Sequence, residues 1–260
     1  MASNPPGQCC ATGFLHEGTP IGKLITIENG IQAYLASPSA SKAHDGVGLL
    51  YVPDILGIWQ NSMLMADAYA KEGYTCLVLD LFNGDPAALN MLENFDIMSW
   101  LAGGSGGDNP HTKEFIDPII VSGIKYLRDS GVARIGAAGY CFGAKYVIRH
   151  YKDGIECGFV AHPSFVESEE LAAITGPLSI AAAETDTIFP MEKRHESEKI
   201  LIGTKQDYQI NLFSGVEHGF SVRGDPNVKV ERFAKEQAFH QAVSWFDSYL
   251  VDKREYATKP

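Results

Sequence analysis

The stretch GYCFGAK, residues 139–145, ends an apolar run, ARIGAAGY, and opens a segment of helical character, GAKYVIRHY. Within it, Gly139-Tyr140-Cys141-Phe142-Gly143 sets a thiol between two glycines. A G-x-nucleophile-x-G pattern marks a strained turn from strand to helix, where the glycines let strand and helix approach and the central side chain is lifted clear. The helix start also places positive dipole beside the sulfur, which favours thiolate. Strand before and helix after are the context this motif requires, so Cys141 is the candidate nucleophile.

Outward from this turn the chain alternates. KLITIENGIQAYLAS carries two short β-rich runs around Asn29-Gly30, a hairpin signal. VGLLYVP and TCLVLDLF read as strands buried on both faces, and residues 60–72 between them carry Leu64, Met65, Ala68 and Tyr69 at helical spacing, ended by Gly73. Phe115, Ile116, Ile119, Ile120, Ile124 and Leu127 form a second helical stripe. After the turn come the strands CGFVAH, LSIAAAET and DYQINLF, the helix PMEKRHESEKILI and a long final helix. Strands alternating with helices predict an α/β fold with a mostly parallel central sheet, helices on both faces and an N-terminal antiparallel edge. No linker or repeat divides the chain, which reads as a single domain over 1–260. Residues 83–112 are too long for an ordinary connection. They are expected to form a cap over the site, with a short helix in NMLENFDIMSWL.

Composition narrows the function. The net charge is −11 and the 21 Lys and Arg are scattered, which argues against nucleic acid or an anionic membrane surface as a partner. No apolar run is long enough to span a bilayer, and MASNPPGQCCATG lacks the features of a secretory signal. Five cysteines, an odd number in a large domain, fit a reducing, cytoplasmic setting. Cys9-Cys10 has neither a second cysteine pair nor suitably placed histidines, so no metal and no cofactor are expected, and the N-terminal arm is expected to be mobile or loosely docked. The partner is a small molecule, with a homodimer left open.

In a fold with this elbow, the acid and then the histidine follow the nucleophile in chain order. Asp186 follows the strand LSIAAAET, and His218, in SGVEHGF, follows DYQINLF. Cys141, Asp186 and His218 thus each lie just past a strand on one rim of the sheet. His162, in AHPS, falls on the same rim as a pocket residue, but its strand lies between those of Cys141 and Asp186, so His218 is the better base. The other histidines read as solvent-facing or structural.

GYCFGAK followed by ETD (184–186) and EHGF (217–220) resembles the dienelactone hydrolase (carboxymethylenebutenolidase) family of α/β-hydrolases. The resemblance runs from about residue 30 to residue 250, and AHPSF, HGFSVRGD and DLFNGDP are similar to its eukaryotic, especially fungal, branch. It implies a catalytic triad of Cys141, His218 and Asp186, and an oxyanion hole from the backbone N–H groups of Phe142 and Ile55. Asp54 occupies the place of an acidic residue associated with controlling the thiol, where bacterial members have Glu. Arg223 is the nearest counterpart of an arginine that binds a substrate carboxylate, displaced by one residue. The place of a second such arginine reads Asn83-Gly84-Asp85, a departure that points to a larger or less anionic substrate than dienelactone. Trp59, after ILGI, is a candidate aromatic wall. The implied activity is hydrolysis of an enol-lactone or another activated ester or thioester. Its alternatives are C–C cleavage, isomerisation or polyketide release in secondary metabolism on the same scaffold, or ligand binding without turnover.

Overall fold

The computed structural model of the protein describes residues 1–91 and 95–252. Its strands are β1 (Lys23–Thr26), β2 (Gln32–Ala36), β3 (Val47–Val52), β4 (Thr75–Leu79), β5 (Arg134–Tyr140), β6 (Cys157–Ala161), β7 (Leu178–Thr185) and β8 (Tyr208–Glu217). They form one sheet in the order β1-β2-β4-β3-β5-β6-β7-β8. The expected hairpin is β1 with β2, turned at Asn29 (φ 62°), and β2 continues antiparallel onto β4. From β4 to β8 every pairing is parallel.

The helices are α1 (Gln60–Lys71), α2 (Ile97–Gly103), α3 (Lys113–Asp129), α4 (Gly143–Arg149), α5 (Ser168–Ala172), α6 (Met191–Thr204), α7 (Phe220–Arg223) and α8 (Lys229–Phe246). Alternate residues of β3 serve two apolar layers. Leu49 and Tyr51 pack with α1 and α8, while Leu50 and Val52 pack with α3 and α4 on the opposite face. Burial on both faces is why β3 reads as an unbroken apolar run. The α3 stripe is buried as expected except at Phe115, which is 51% exposed because it sits about 100° round the helix from Ile116. Among the described residues, no helix is long and apolar enough to cross a membrane.

The 83–112 excursion is anchored at several points. Ala87 N–H donates to the Ile55 carbonyl (2.9 Å), and Trp100 stacks near Phe82 and His111 with centroids 5.0 and 4.5 Å away. Its helix, α2, starts at Ile97 under an Asp96 cap whose carboxylate accepts from the Met98 and Ser99 N–H groups. The earlier half of the helix expected in NMLENFDIMSWL falls partly on residues 92–94, outside the described residues.

The N-terminal arm overturns its expectation. It is firmly docked: Ser3 N–H donates to Val166, Asn4 N–H to Ile188 and Phe14 N–H to Arg223, at 3.1, 2.8 and 2.8 Å. Cys10 and Ala11 are fully buried in the apolar layer beside α4. Asn90 clasps the arm to the excursion, donating from its N–H to the Ala11 carbonyl and from its amide to the Gly13 carbonyl (2.8 and 3.1 Å). The arm's partners are far along the chain, so its own composition could not announce them.

At the elbow, a Cβ on Gly143 would stand 2.1 Å from the Val52 carbonyl oxygen and 2.5 Å from that of Pro53. Both obstacles are backbone and neither can swing aside. Gly143→Ala is therefore expected to destabilise the protein by about 3 kcal/mol or more, beyond ordinary overpacking. Urea unfolding measures this, and a loss below about 1 kcal/mol would refute the close approach.

Candidate active site

Cys141 follows β5 with φ +52°, in the left-handed region that side-chain-bearing residues seldom occupy. Its N–H donates to the Ala161 carbonyl at the end of β6 (3.1 Å), and its own carbonyl accepts from the N–H groups of Ser164 (3.0 Å) and Ala144 (3.2 Å). These bonds hold the strained turn in place.

Asp186 stands one residue past β7. Its Oδ1 accepts the N–H groups of Ile188 (2.8 Å) and Phe189 (2.9 Å), which orients the carboxylate. His218 stands one residue past β8. Its Nδ1 lies 2.9 and 3.0 Å from the two Asp186 oxygens, and its Nε2 lies 3.1 Å from Cys141 Sγ. A carboxylate only accepts, so Nδ1 carries the hydrogen and Nε2 addresses the sulfur. The three side chains that were predicted to converge do so, and all are buried.

Burial opposes charge on each of the three, yet their contacts overcome it. The Cys141 thiol is held well below its ordinary value by the neighbouring Cys10 thiol and by His218. The His218 ring is raised to about 10 by the sulfur and by Asp186, and hydrogen bonding to His218 keeps the Asp186 carboxyl low. Both shifts favour thiolate and imidazolium over the neutral pair. Close by, the N–H groups of Ile55 and Phe142 donate to no acceptor among the described residues. Both belong to segments packed at the elbow, since Gly143 abuts the loop that leads to Ile55.

The sequence profile of the dienelactone hydrolase family matches residues 31–250. The chain belongs to the dienelactone hydrolase family. It is 47% identical to the hydrolase pyvD of Aspergillus violaceofuscus, covering 96% of this chain and 99% of that one. It is 35% identical to dienlactone hydrolase 1 of Gibberella moniliformis, covering 96% and 97%. The fold is also that of a dienelactone hydrolase from Anabaena variabilis, with a TM-score of 0.64 at 13% identity over 90% of this chain and 100% of that one. Members of the family are hydrolases acting on ester bonds, and this chain is a lactone or ester hydrolase of the α/β-hydrolase fold.

The remaining expected site residues have distinct surroundings. His162, just past β6, is fully buried with its Nε2 2.8 Å from Ser221 Oγ; burial pushes it down to about 4, so the ring is neutral. Trp59 is half-buried and packs against both apolar layers. Arg223, expected to meet a substrate carboxylate, is buried instead in an ion pair with Asp54 and donates to the arm carbonyls of Thr12 (3.0 Å) and Cys9 (3.3 Å). Asp54 makes no hydrogen bond to Cys141 among the described residues; its partners are Arg223 and the Leu56 N–H. Even so paired, burial lifts its carboxyl to about 6.

Three neighbours escaped the sequence reading. Cys10 Sγ lies 3.5 Å from His218 Nε2, Ser164 Oγ lies 3.8 Å from Cys141 Sγ, and Ser221 supports His162. Nothing local marks them, although Ser164 lies within the AHPSF stretch and Ser221 within HGFS. Cys141 itself has no exposed surface, and the arm around Cys10 and Ala11 forms part of its cover.

Removing one member of a buried ion pair strands the other, at about 3–5 kcal/mol. Arg223→Met is expected to destabilise the protein by that amount at pH 8. The penalty should shrink towards pH 5, because the lone Asp54 carboxyl, raised further in the folded state, takes up a proton that the unfolded chain binds only at lower pH. The variant thus loses stability as pH rises, whereas Asp54→Asn/Arg223→Met should not. Denaturant titrations across this range test the sign, and a pH-independent penalty for the single variant would exclude the pairing.

Proposed function

We propose that this protein hydrolyses an enol-lactone or a similarly activated ester or thioester by covalent catalysis through Cys141. The observation that carries the reading is the continuous chain from Asp186 through His218 to Cys141 Sγ, at 2.9 and 3.1 Å, beside two backbone N–H groups that donate to no acceptor among the described residues. Because proton transfer from sulfur to imidazole has already occurred at rest, His218 enters the reaction as an acid. The thiolate adds to the acyl carbon, and the carbonyl oxygen becomes an oxyanion received by the N–H groups of Ile55 and Phe142, each worth about 3 kcal/mol in the transition state. Collapse breaks the ring C–O bond, and the departing enolate takes the His218 proton. Neutral His218 then removes a proton from water, whose oxygen attacks the thioester; collapse releases a carboxylic acid and restores thiolate and imidazolium. Asp186 keeps the ring oriented throughout and stabilises its charge.

Enolate is a good leaving group, so a soft, weakly basic thiolate suffices where an alkyl ester would call for serine. The substrate does not need to be a dicarboxylate: Arg223 is committed to Asp54, and Asn83-Gly84-Asp85 supplies no cation. Access to Cys141 requires its cover to open, and the segment bearing Cys10 and Ala11 is the part of that cover contributed by the arm.

Two measurements test this. Against an enol-lactone and aryl-ester panel, Cys141→Ala should lose at least about 10³-fold in kcat/KM. Comparable turnover in wild type and variant would end the proposal. Separately, alkylation of Cys141 by a small haloacetamide should be nearly independent of pH through neutrality. In His218→Ala it should rise with pH as the unpaired thiol ionises; parallel pH profiles would show that His218 does not hold the thiolate.

A further inference from the structure

Cys10 has no role in the chemistry above, yet it is placed against it. Its Sγ lies 3.5 Å from His218 Nε2, Cys141 Sγ lies 3.1 Å from the same nitrogen, and the three donor atoms all fall within 4.8 Å of one another in buried surroundings. Zn–S bonds of about 2.3 Å and Zn–N bonds of about 2.0 Å set the S···N edge of a tetrahedron near 3.5 Å. The Cys10–His218 edge already has that length, and the Cys141–His218 edge would open by about 0.4 Å.

The surroundings also suit a cation. The other nitrogen of His218 is bonded to Asp186 at 2.9 Å, the carboxylate–imidazole arrangement that orients a ligating histidine. His162 Nδ1 is buried with no hydrogen-bond partner, on a ring 5.0 Å from that of His218 and sensitive to the Cys141 sulfur. Nε2 of the same ring pairs with Ser221 Oγ at 2.8 Å, which leaves Nδ1 as a polar atom beside the cluster. Half-buried Cys9 lines a cavity of about 430 Å³ together with His218 and Arg223, next to the cluster.

We propose that Cys10 Sγ, Cys141 Sγ and His218 Nε2 form a binding site for Zn2+, with water as the fourth ligand. Two thiolates and an imidazole select a borderline or soft cation over Mg2+ or Ca2+, which take oxygen donors. Binding releases two protons, one from Cys10 and one from the thiolate–imidazolium pair, and leaves a neutral zinc dithiolate. Loading engages the nucleophile and its proton carrier together, so the loaded protein is silent as a hydrolase. That consequence rests on the mechanism above, whereas the binding itself does not.

Co2+, then Zn2+, would be titrated into the full chain kept reduced with a phosphine. One equivalent of Co2+ should give near-ultraviolet sulfur-to-cobalt charge transfer and visible bands of tetrahedral intensity, displaced by Zn2+. Zn2+ should protect both Cys10 and Cys141 from alkylation in peptide maps. Cys10→Ala should weaken Zn2+ binding by more than the roughly 10–100-fold that loss of an outer-shell partner costs. Cys10→Ser, which keeps the side chain's size, should do likewise with an unchanged circular dichroism spectrum, and Cys9→Ala should bind as wild type does. Absence of the charge-transfer band, or unaltered Zn2+ affinity in both Cys10 variants, would each overturn the site, whereas full hydrolysis by protein shown to hold zinc through Cys10 would overturn the mechanism. A protein that binds zinc through Cys10 but never turns over esters would sink the mechanism and leave the site standing.

Discussion

The contact on which the site depends is backbone against backbone: Gly143 at the start of α4 against the carbonyls of Val52 and Pro53 at the end of β3. Because no Cβ intervenes, α4 starts directly beneath the loop that carries Asp54 and Ile55. Ile55 and Phe142, from separate segments, are thereby brought to the same elbow. At this turn Cys141 takes a left-handed conformation, sustained by its N–H donating to β6 and by the Ser164 N–H donating to its carbonyl. Strain at Cys141 is thus maintained by the parallel sheet and not by the turn alone.

Around this elbow the protein buries five ionisable side chains in two partnered sets, Asp186 with His218 and Cys141, and Asp54 with Arg223. Each would be costly alone, and each has a partner. The Asp186–His218–Cys141 chain prepares a thiolate. The Asp54–Arg223 pair ties the loop after β3 to α7, and through the Cys9 and Thr12 carbonyls it ties both to the N-terminal arm. Arg223 therefore links the N-terminal arm to the loop that carries Asp54 and Ile55. An arginine that looked suited to a substrate carboxylate serves an internal carboxylate instead.

Much of this was legible in the chain. The unbroken apolar runs of β3 and β4, the Asn29-Gly30 turn, the Gly-x-Cys-x-Gly elbow and the order Cys141, Asp186, His218 depend on neighbours in sequence or on a topology that constrains them. Local periodicity reports which faces are buried, and parallel strands put their carboxyl ends on one rim, so residues following three strands must gather there. What lay beyond reach were contacts between segments with no periodicity of their own. MASNPPGQCCATG reads as a free tail because its apolar content is small; it docks because Arg223, Asn90, Val166 and Ile188 offer hydrogen-bond partners from four distant places.

The sequence by itself therefore determined the layered α/β architecture, the elbow that carries Cys141 and the placing of Cys141, Asp186 and His218 on one rim, since these follow from short-range pattern and the handed logic of a parallel sheet. Only the tertiary structure decided that Arg223 faces Asp54, that the N-terminal arm roofs the site, and that Cys10 rests against His218. The physical reason is range: propensity and burial period act over a few residues, whereas pairing of buried charges and packing of a polar arm are settled between parts of the chain that meet only after the sheet has formed.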